Sequence, residues 1–190
     1  MAKTVVNETG RKPNLARLLG WGMAGLLLLL LPLVAMQFTN EVKWDGADFV
    51  FAGVVFGGIG IAFEVAFSAS RRPAYRAAVA AAVAASYVIV WANAAVGMIG
   101  DGPNVYNNLF LCLVGFAVVG AVIARLRASG MARTMVVAGV AHLAIAGAGM
   151  TIDIRGGTIS AVLACLWLLA GALFRRAARG AAADATLVRS

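Results

Sequence analysis

Residues 18–38 have the sequence LLGWGMAGLLLLLLPLVAMQF, a run without a charged side chain. A helix needs about 20 consecutive apolar residues to cross the roughly 30 Å hydrocarbon core of a bilayer. Arg11, Lys12 and Arg17 precede the run, which makes a cleaved signal peptide the competing interpretation. The run exceeds the roughly 7–15 apolar residues of a signal peptide, and no A-x-A cleavage site follows it. We therefore expect a membrane-spanning helix here.

Five further apolar runs follow, at residues 49–67, 77–99, 109–124, 134–152 and 158–174. They are continuously apolar, whereas the strands of a membrane barrel alternate between lipid-facing and lumen-facing residues. The chain is 62% hydrophobic and 13% charged, with a mean hydropathy of +0.90. Soluble domains average about 45–50% apolar and about 25% charged residues. The sequence predicts an all-α integral membrane protein, a bundle of six transmembrane helices within residues 15–176, with cytoplasmic tails at 1–14 and 177–190.

The basic residues alternate with the predicted spans. One set of segments contains 14 of the 16 Lys and Arg residues: Lys3, Arg11, Lys12, Arg17, Arg71, Arg72, Arg76, Arg125, Arg127, Arg133, Arg175, Arg176, Arg179 and Arg189. The opposite set contains Lys43 and Arg155. By the positive-inside rule the first set is cytoplasmic, so both termini are expected in the cytoplasm. This distribution also explains the net charge of +8 without nucleic-acid binding.

Weak internal similarity suggests a repeated hairpin. Residues 48–60 align with residues 108–120, and residues 76–84 align with residues 133–141. Each pair of spans runs outward, turns through a loop that carries Asp and returns to a basic end, so three tandem helical hairpins are one hypothesis. The alternative is that Ala/Val-rich helices of alternating topology produce such matches by themselves.

Acidic and asparagine side chains collect in the segments predicted to lie outside. One interpretation is an ordinary wet membrane boundary. The other is an outward-facing polar pocket for a cation or a small polar molecule, in which Asp48, Asn108 and Asp153 begin or end helices. The carboxylates lack the spacing of a recognised metal-binding loop, so no metal site is predicted.

Two polar residues lie deeper in the predicted spans. His142, the only histidine, is near the middle of the fifth span, where an ionisable side chain is a candidate ligand or proton site. A neutral imidazole bonded to a neighbouring helix is the alternative. Asn93 should hydrogen-bond to another helix or contact a ligand. One histidine cannot supply bis-His haem ligation, and no cofactor is predicted.

Glu64 lies near the cytoplasmic end of the second span, at a depth similar to that of several arginines. We expect a helix-end ion pair between Glu64 and Arg125, and a proton-relay role is the alternative. The sequence contains no Gly-rich phosphate loop, HExxH, GxSxG or paired-cysteine motif, so no catalytic residue is predicted.

Two stretches resemble a family of small multi-pass bacterial inner-membrane proteins to which no activity is attached. One is WANAAVGMIG at residues 91–100, with Asp101 and Asn107-Asn108-Leu109 after it. The other is PLVAMQFT at residues 32–39, with Val42-Lys43-Trp44 and Asp48-Phe49 after it. The similarity covers about the first two-thirds of the chain. It implies a bacterial inner (cytoplasmic) membrane and no particular mechanism.

Three functions are compatible with these features. The first is a non-catalytic accessory or structural subunit of a membrane complex, whose partners are the lipid bilayer and other membrane-protein subunits. The second is a small-solute or proton-coupled transporter with an outward-facing polar site. The third is a membrane enzyme or cofactor-binding protein, for which His142 is the main support.

Overall fold

The structure is a computed structural model that describes residues 15–100, 102 and 104–189, without the side chains of residues 188 and 189. It contains six helices: α1 (Leu15–Phe38), α2 (Gly46–Ala69), α3 (Pro73–Ala95), α4 (Val105–Ile123), α5 (Ala128–Gly149) and α6 (Ile154–Arg189). Each is long and apolar enough to cross a membrane, and the described residues contain no strand. The predicted all-α, six-span membrane protein is confirmed. The tail predicted at residues 1–14 lies outside the described residues.

Local sequence explains where α2 and α3 begin. Asp45 Oδ1 accepts hydrogen bonds from the backbone N–H groups of Ala47 at 2.7 Å and Asp48 at 3.0 Å. Asp48 Oδ2 accepts from the Asp45 N–H at 2.9 Å, which completes a capping box at the start of α2. The α3 helix begins with Pro73, whose fixed φ suits the first helical position.

The chain forms two compact units. The first, here called the hairpin unit, consists of α1 and α2. Its helices pack through small residues, since Gly60 lies against the Trp21 side chain and Gly25 against Phe56. Close approach at glycine is the usual means of helix association in lipid, where no hydrophobic driving force brings helices together.

The second unit, here called the four-helix unit, consists of α3 to α6. The α5 and α6 helices make its most extensive interface, and α3 packs more extensively against α6 than against α4. The largest fully buried side chains include Trp167, Phe110, Phe174 and Ile89. Because α3 and α4 are not each other's main packing partners, the tandem-hairpin arrangement stays a hypothesis.

The α6 helix is longer than the span predicted at residues 158–174. It has 36 residues, about 54 Å at 1.5 Å per residue, against roughly 30 Å of hydrocarbon. Residues 177–189, expected as a tail, continue this helix because they are rich in alanine, a strong helix former. Near its end, Arg72 Nη2 forms an ion pair with Asp184 Oδ2 at 2.5 Å.

Candidate functional site

The four-helix unit has a polar centre at His142 on α5, which is fully buried. The indole Nε1–H of Trp167 on α6 donates a hydrogen bond to His142 Nδ1 at 3.2 Å. The Phe110 ring of α4 packs on the imidazole with 4.9 Å between ring centroids. Three helices therefore meet at His142, and the neutral-imidazole interpretation gains a specific partner.

The spacing of residues on α6 explains how this centre is built. Ser160, Ala164 and Trp167 recur at intervals of four and three residues, so they share one face of the helix. All three are buried. Neither Trp167 nor Ser160 was among the residues expected from the sequence, although a tryptophan in mid-span, away from the membrane interfaces, is a usable signal.

The bond from Trp167 determines which imidazole nitrogen carries the proton. An indole N–H can only donate, so His142 Nδ1 accepts and the neutral ring carries its hydrogen on Nε2. Among the described groups, none hydrogen-bonds to His142 Nε2 or to Ser160 Oγ, both of which are buried. A protonated Nε2 cannot take a proton from Ser160, so in this tautomer His142 Nε2 does not act as the base for a serine nucleophile.

Asn107, rather than its neighbour Asn108, organises the loop between α3 and α4. Asn107 is 5% exposed, and its Oδ1 accepts hydrogen bonds from the backbone N–H groups of Met98 at 2.9 Å and Ile99 at 3.0 Å. Its Nδ2 donates to the Gly102 carbonyl at 3.0 Å. Asn108, the residue singled out from sequence, is exposed. One position along a helix rotates a side chain by about 100°, which separates these adjacent asparagines.

Asp153 joins the loop between α3 and α4 to the turn between α5 and α6. Its Oδ1 accepts from the backbone N–H groups of Arg155 and Gly156, each at 3.0 Å, and its Oδ2 accepts from the Gly100 N–H at 3.1 Å. The N–H groups of Gly156 and Gly100 stabilise the carboxylate and hold the pKa of Asp153 below its usual value. Both oxygens are thus engaged by the backbone in this structure.

The lowered pKa of Asp153 predicts an acid-sensitive stability. A carboxyl whose pKa is lower in the folded state stabilises the fold above its unfolded pKa, near 3.8, and loses that contribution as the pH falls through the folded pKa. Asp153→Asn should lower thermal stability at neutral pH and flatten the loss of stability below about pH 5. Unfolding in detergent across this pH range measures both effects. The exposed Glu41, varied to Gln, is the control, and an equal effect of the two substitutions would contradict the prediction.

The other candidate pocket residues serve local roles. Asp48 belongs to the capping box in the hairpin unit. Asn93 Nδ2 donates to the Ile89 carbonyl of its own helix at 2.8 Å, so its amide donor has a partner on α3 rather than the neighbouring helix we expected. A short polar side chain on a helix can reach the carbonyl four residues earlier. Within the four-helix unit, Asp153 lies roughly three turns from His142 along the chain.

Glu64 forms its ion pair with Arg17 and not with Arg125, the partner expected from the sequence. Arg17 Nε donates to Oε2 at 2.9 Å and Nη2 donates to Oε1 at 2.8 Å, a bidentate pair in which the Glu64 side chain is 7% exposed. The Arg17 guanidinium also lies over the Phe67 ring, 5.5 Å from its centroid. Because α1 and α2 are antiparallel, the start of α1 faces the end of α2. Arg125 lies between α4 and α5, in the four-helix unit.

The hairpin unit contains an apolar groove of about 400 Å³ between α1 and α2, here called the glycine groove. Its lining includes five glycines, three of them on α2, and those five are Gly22, Gly25, Gly53, Gly57 and Gly60. Trp21 also lines the groove, and its indole Nε1 is buried without a hydrogen-bond partner among the described groups. The α1 helix has no buried residue.

The described residues include no group of three or more His, Cys, Asp or Glu side chains that could hold a metal ion. No protein-family model matches the chain, and neither a curated protein nor a solved structure matches it. The six apolar helices and their contacts define a multi-pass membrane protein. Its helices lie in contact with a lipid bilayer.

Proposed function

We propose that the chain is a non-catalytic accessory or structural subunit of a membrane complex, and that a transmembrane helix of another subunit packs in the glycine groove. The groove is the observation that carries this proposal. Glycine surfaces allow two helix backbones to approach closely, and such contacts drive helix association in lipid. The groove has room for another helix because glycines of both α1 and α2 line it.

The polar residues support a non-catalytic role. His142 is engaged by Trp167, Asp153 by the backbone N–H groups of Gly100 and Gly156, and Glu64 by Arg17. These bonds stabilise the two units and engage His142 Nδ1 and the carboxylates of Asp153 and Glu64. The excess of arginine at alternate loops supports an orientation with both termini in the cytoplasm, and the resemblance of residues 32–49 and 91–109 supports a bacterial inner membrane.

Filling the glycine groove tests the proposal directly. A Cβ atom at Gly57 would meet nothing within 4 Å, so the backbone there tolerates a side chain and Gly57→Leu should place its isobutyl group in the groove. Gly58 is equally unobstructed but does not line the groove, so Gly58→Leu is the matched control. We expect Gly57→Leu to abolish most cross-links to partner chains in native membranes, measured by cross-linking and mass spectrometry. Gly58→Leu should retain them.

Two outcomes would contradict the proposal. Cross-links that are unchanged in Gly57→Leu, at equal expression and thermal stability, would show that the groove takes no partner helix. A pH-dependent solute flux in reconstituted vesicles that His142→Ala abolishes would instead favour the small-solute or proton-coupled transporter. The observation that supports this second function is the buried His142 Nε2, which has no hydrogen-bond partner among the described groups.

A further inference from the structure

One end of the four-helix unit carries six exposed arginines, here called the arginine face. They lie between α4 and α5, on the first turns of α5, and on the last part of α6: Arg125, Arg127, Arg133, Arg175, Arg176 and Arg179. The α5 and α6 helices are antiparallel neighbours, which brings these segments to the same end. Gly171 of α6, for example, lies beside Val136 of α5.

Carboxylates in the described part of this unit do not neutralise the arginine face. Asp184 is the one described acid on the same part of α6, and it pairs with Arg72, which is not part of the face. Asp153 lies at the opposite end, in the turn between α5 and α6. Six guanidinium groups therefore remain available to an external anion.

The position of these arginines along the helices favours one kind of anion. Phe174 is fully buried in the apolar part of α6, and Arg175 and Arg176 follow it directly. The apolar run of α4 ends with Ile123, and Arg125 comes two residues later. Residues at this boundary lie at the depth of the phosphate groups when apolar helices cross a bilayer.

The backbone that presents the arginine face is held in place by Tyr75. Its hydroxyl donates a hydrogen bond to the Leu126 carbonyl at 2.8 Å, between Arg125 and Arg127. Its ring packs edge-on against Phe174, one residue before Arg175, with 5.1 Å between centroids. Tyr75 thus connects both groups of arginines, so they are presented together rather than on independent segments.

We propose that the arginine face binds the headgroups of anionic phospholipids. Guanidinium groups match phosphate oxygens through paired, charge-assisted hydrogen bonds, and a lipid with net negative charge adds long-range attraction. A zwitterionic lipid offers the same phosphate with a compensating ammonium group. The face therefore selects phosphatidylglycerol over phosphatidylcholine.

Spin-labelled lipids in vesicles provide the test. The full-length protein is reconstituted in phosphatidylcholine, and the motionally restricted fraction of labelled phosphatidylglycerol is compared with that of labelled phosphatidylcholine. We expect a clear preference for phosphatidylglycerol, which the triple variant Arg125→Gln/Arg175→Gln/Arg176→Gln largely loses. High salt should weaken the preference of the native protein, since exposed charges are screened.

The control removes charge at the other end of the same unit. Arg155 is exposed in the first turn of α6, and Arg155→Gln should keep the full preference. Equal preference in the native protein and the triple variant, with both equally stable to heat, would overturn the proposal. Binding of an acidic protein that depends on the three arginines, without any lipid preference, would also overturn the proposal. The arginine face would then bind a protein partner.

Discussion

Replacing Trp167 with alanine is expected to destabilise the four-helix unit by about 3–5 kcal/mol, the range for deleting a fully buried large aromatic side chain. Trp167 is fully buried and lies where α5 and α6 pack against each other. Its loss also removes the donor to His142 Nδ1, and so leaves a second buried nitrogen without its partner. The cavity and the unpaired imidazole both lower the free energy of unfolding.

The two contributions can be separated with a second substitution. Trp167→Phe keeps much of the ring but lacks the N–H, so it should cost about 1–3 kcal/mol, the penalty for leaving a buried polar group unsatisfied. Leu169 on the same helix is 50% exposed, and Leu169→Ala is the control. Reversible unfolding in mixed detergent micelles measures all three variants. A cost for Trp167→Ala no larger than that for Leu169→Ala would contradict the assignment of Trp167 to the core.

Placing a methyl group at Gly157 should separate α5 from α6. A Cβ atom there would lie 2.9 Å from the Ala146 carbonyl oxygen and 3.1 Å from Met150 Cα, and it would overlap Met150 Cγ. Backbone atoms cannot rotate away as side chains can, so the helices must shift. We expect Gly157→Ala to cost about 1–3 kcal/mol, as overpacking of a close-packed interior does.

Gly147 gives the matched control for this substitution. It lies on α5, and a Cβ atom there would meet nothing within 4 Å. Gly147→Ala should leave stability unchanged or raise it by up to about 1 kcal/mol, because alanine favours helix over glycine. The same unfolding assay compares the two. Equal stability of the Gly157→Ala and Gly147→Ala variants would contradict the close contact between α5 and α6 at Gly157.

The helix starts show how far local sequence determines structure. Asp45 and Asp48 form their capping box within four residues, so a local pattern is sufficient to place them. Local sequence does not determine which of Asn107 and Asn108 points its side chain into the loop between α3 and α4. That choice depends on the rotation of α4 about its axis, which packing against the rest of the four-helix unit sets.

The ion pair of Glu64 illustrates the same limit. Depth along the spans indicated an arginine partner and left several arginines equivalent. Arg17 is 47 residues away in sequence and bonds to Glu64 because α1 and α2 pack as an antiparallel pair. The C-terminal end of α6 was also not predicted, because the prediction of spans follows apolar runs and this segment is not one. Its alanine-rich composition nevertheless favours a helix.

The sequence by itself determined that this chain crosses a membrane six times, beginning with residues 18–38. Span length and the absence of charge act along the chain, and each helix satisfies its own backbone in lipid. Tertiary structure alone decided that Trp167 bonds to His142, that Asp153 joins two loops, and that glycines line a groove between α1 and α2. These contacts depend on which faces of two helices meet, and apolar residues all around a span leave that choice to packing.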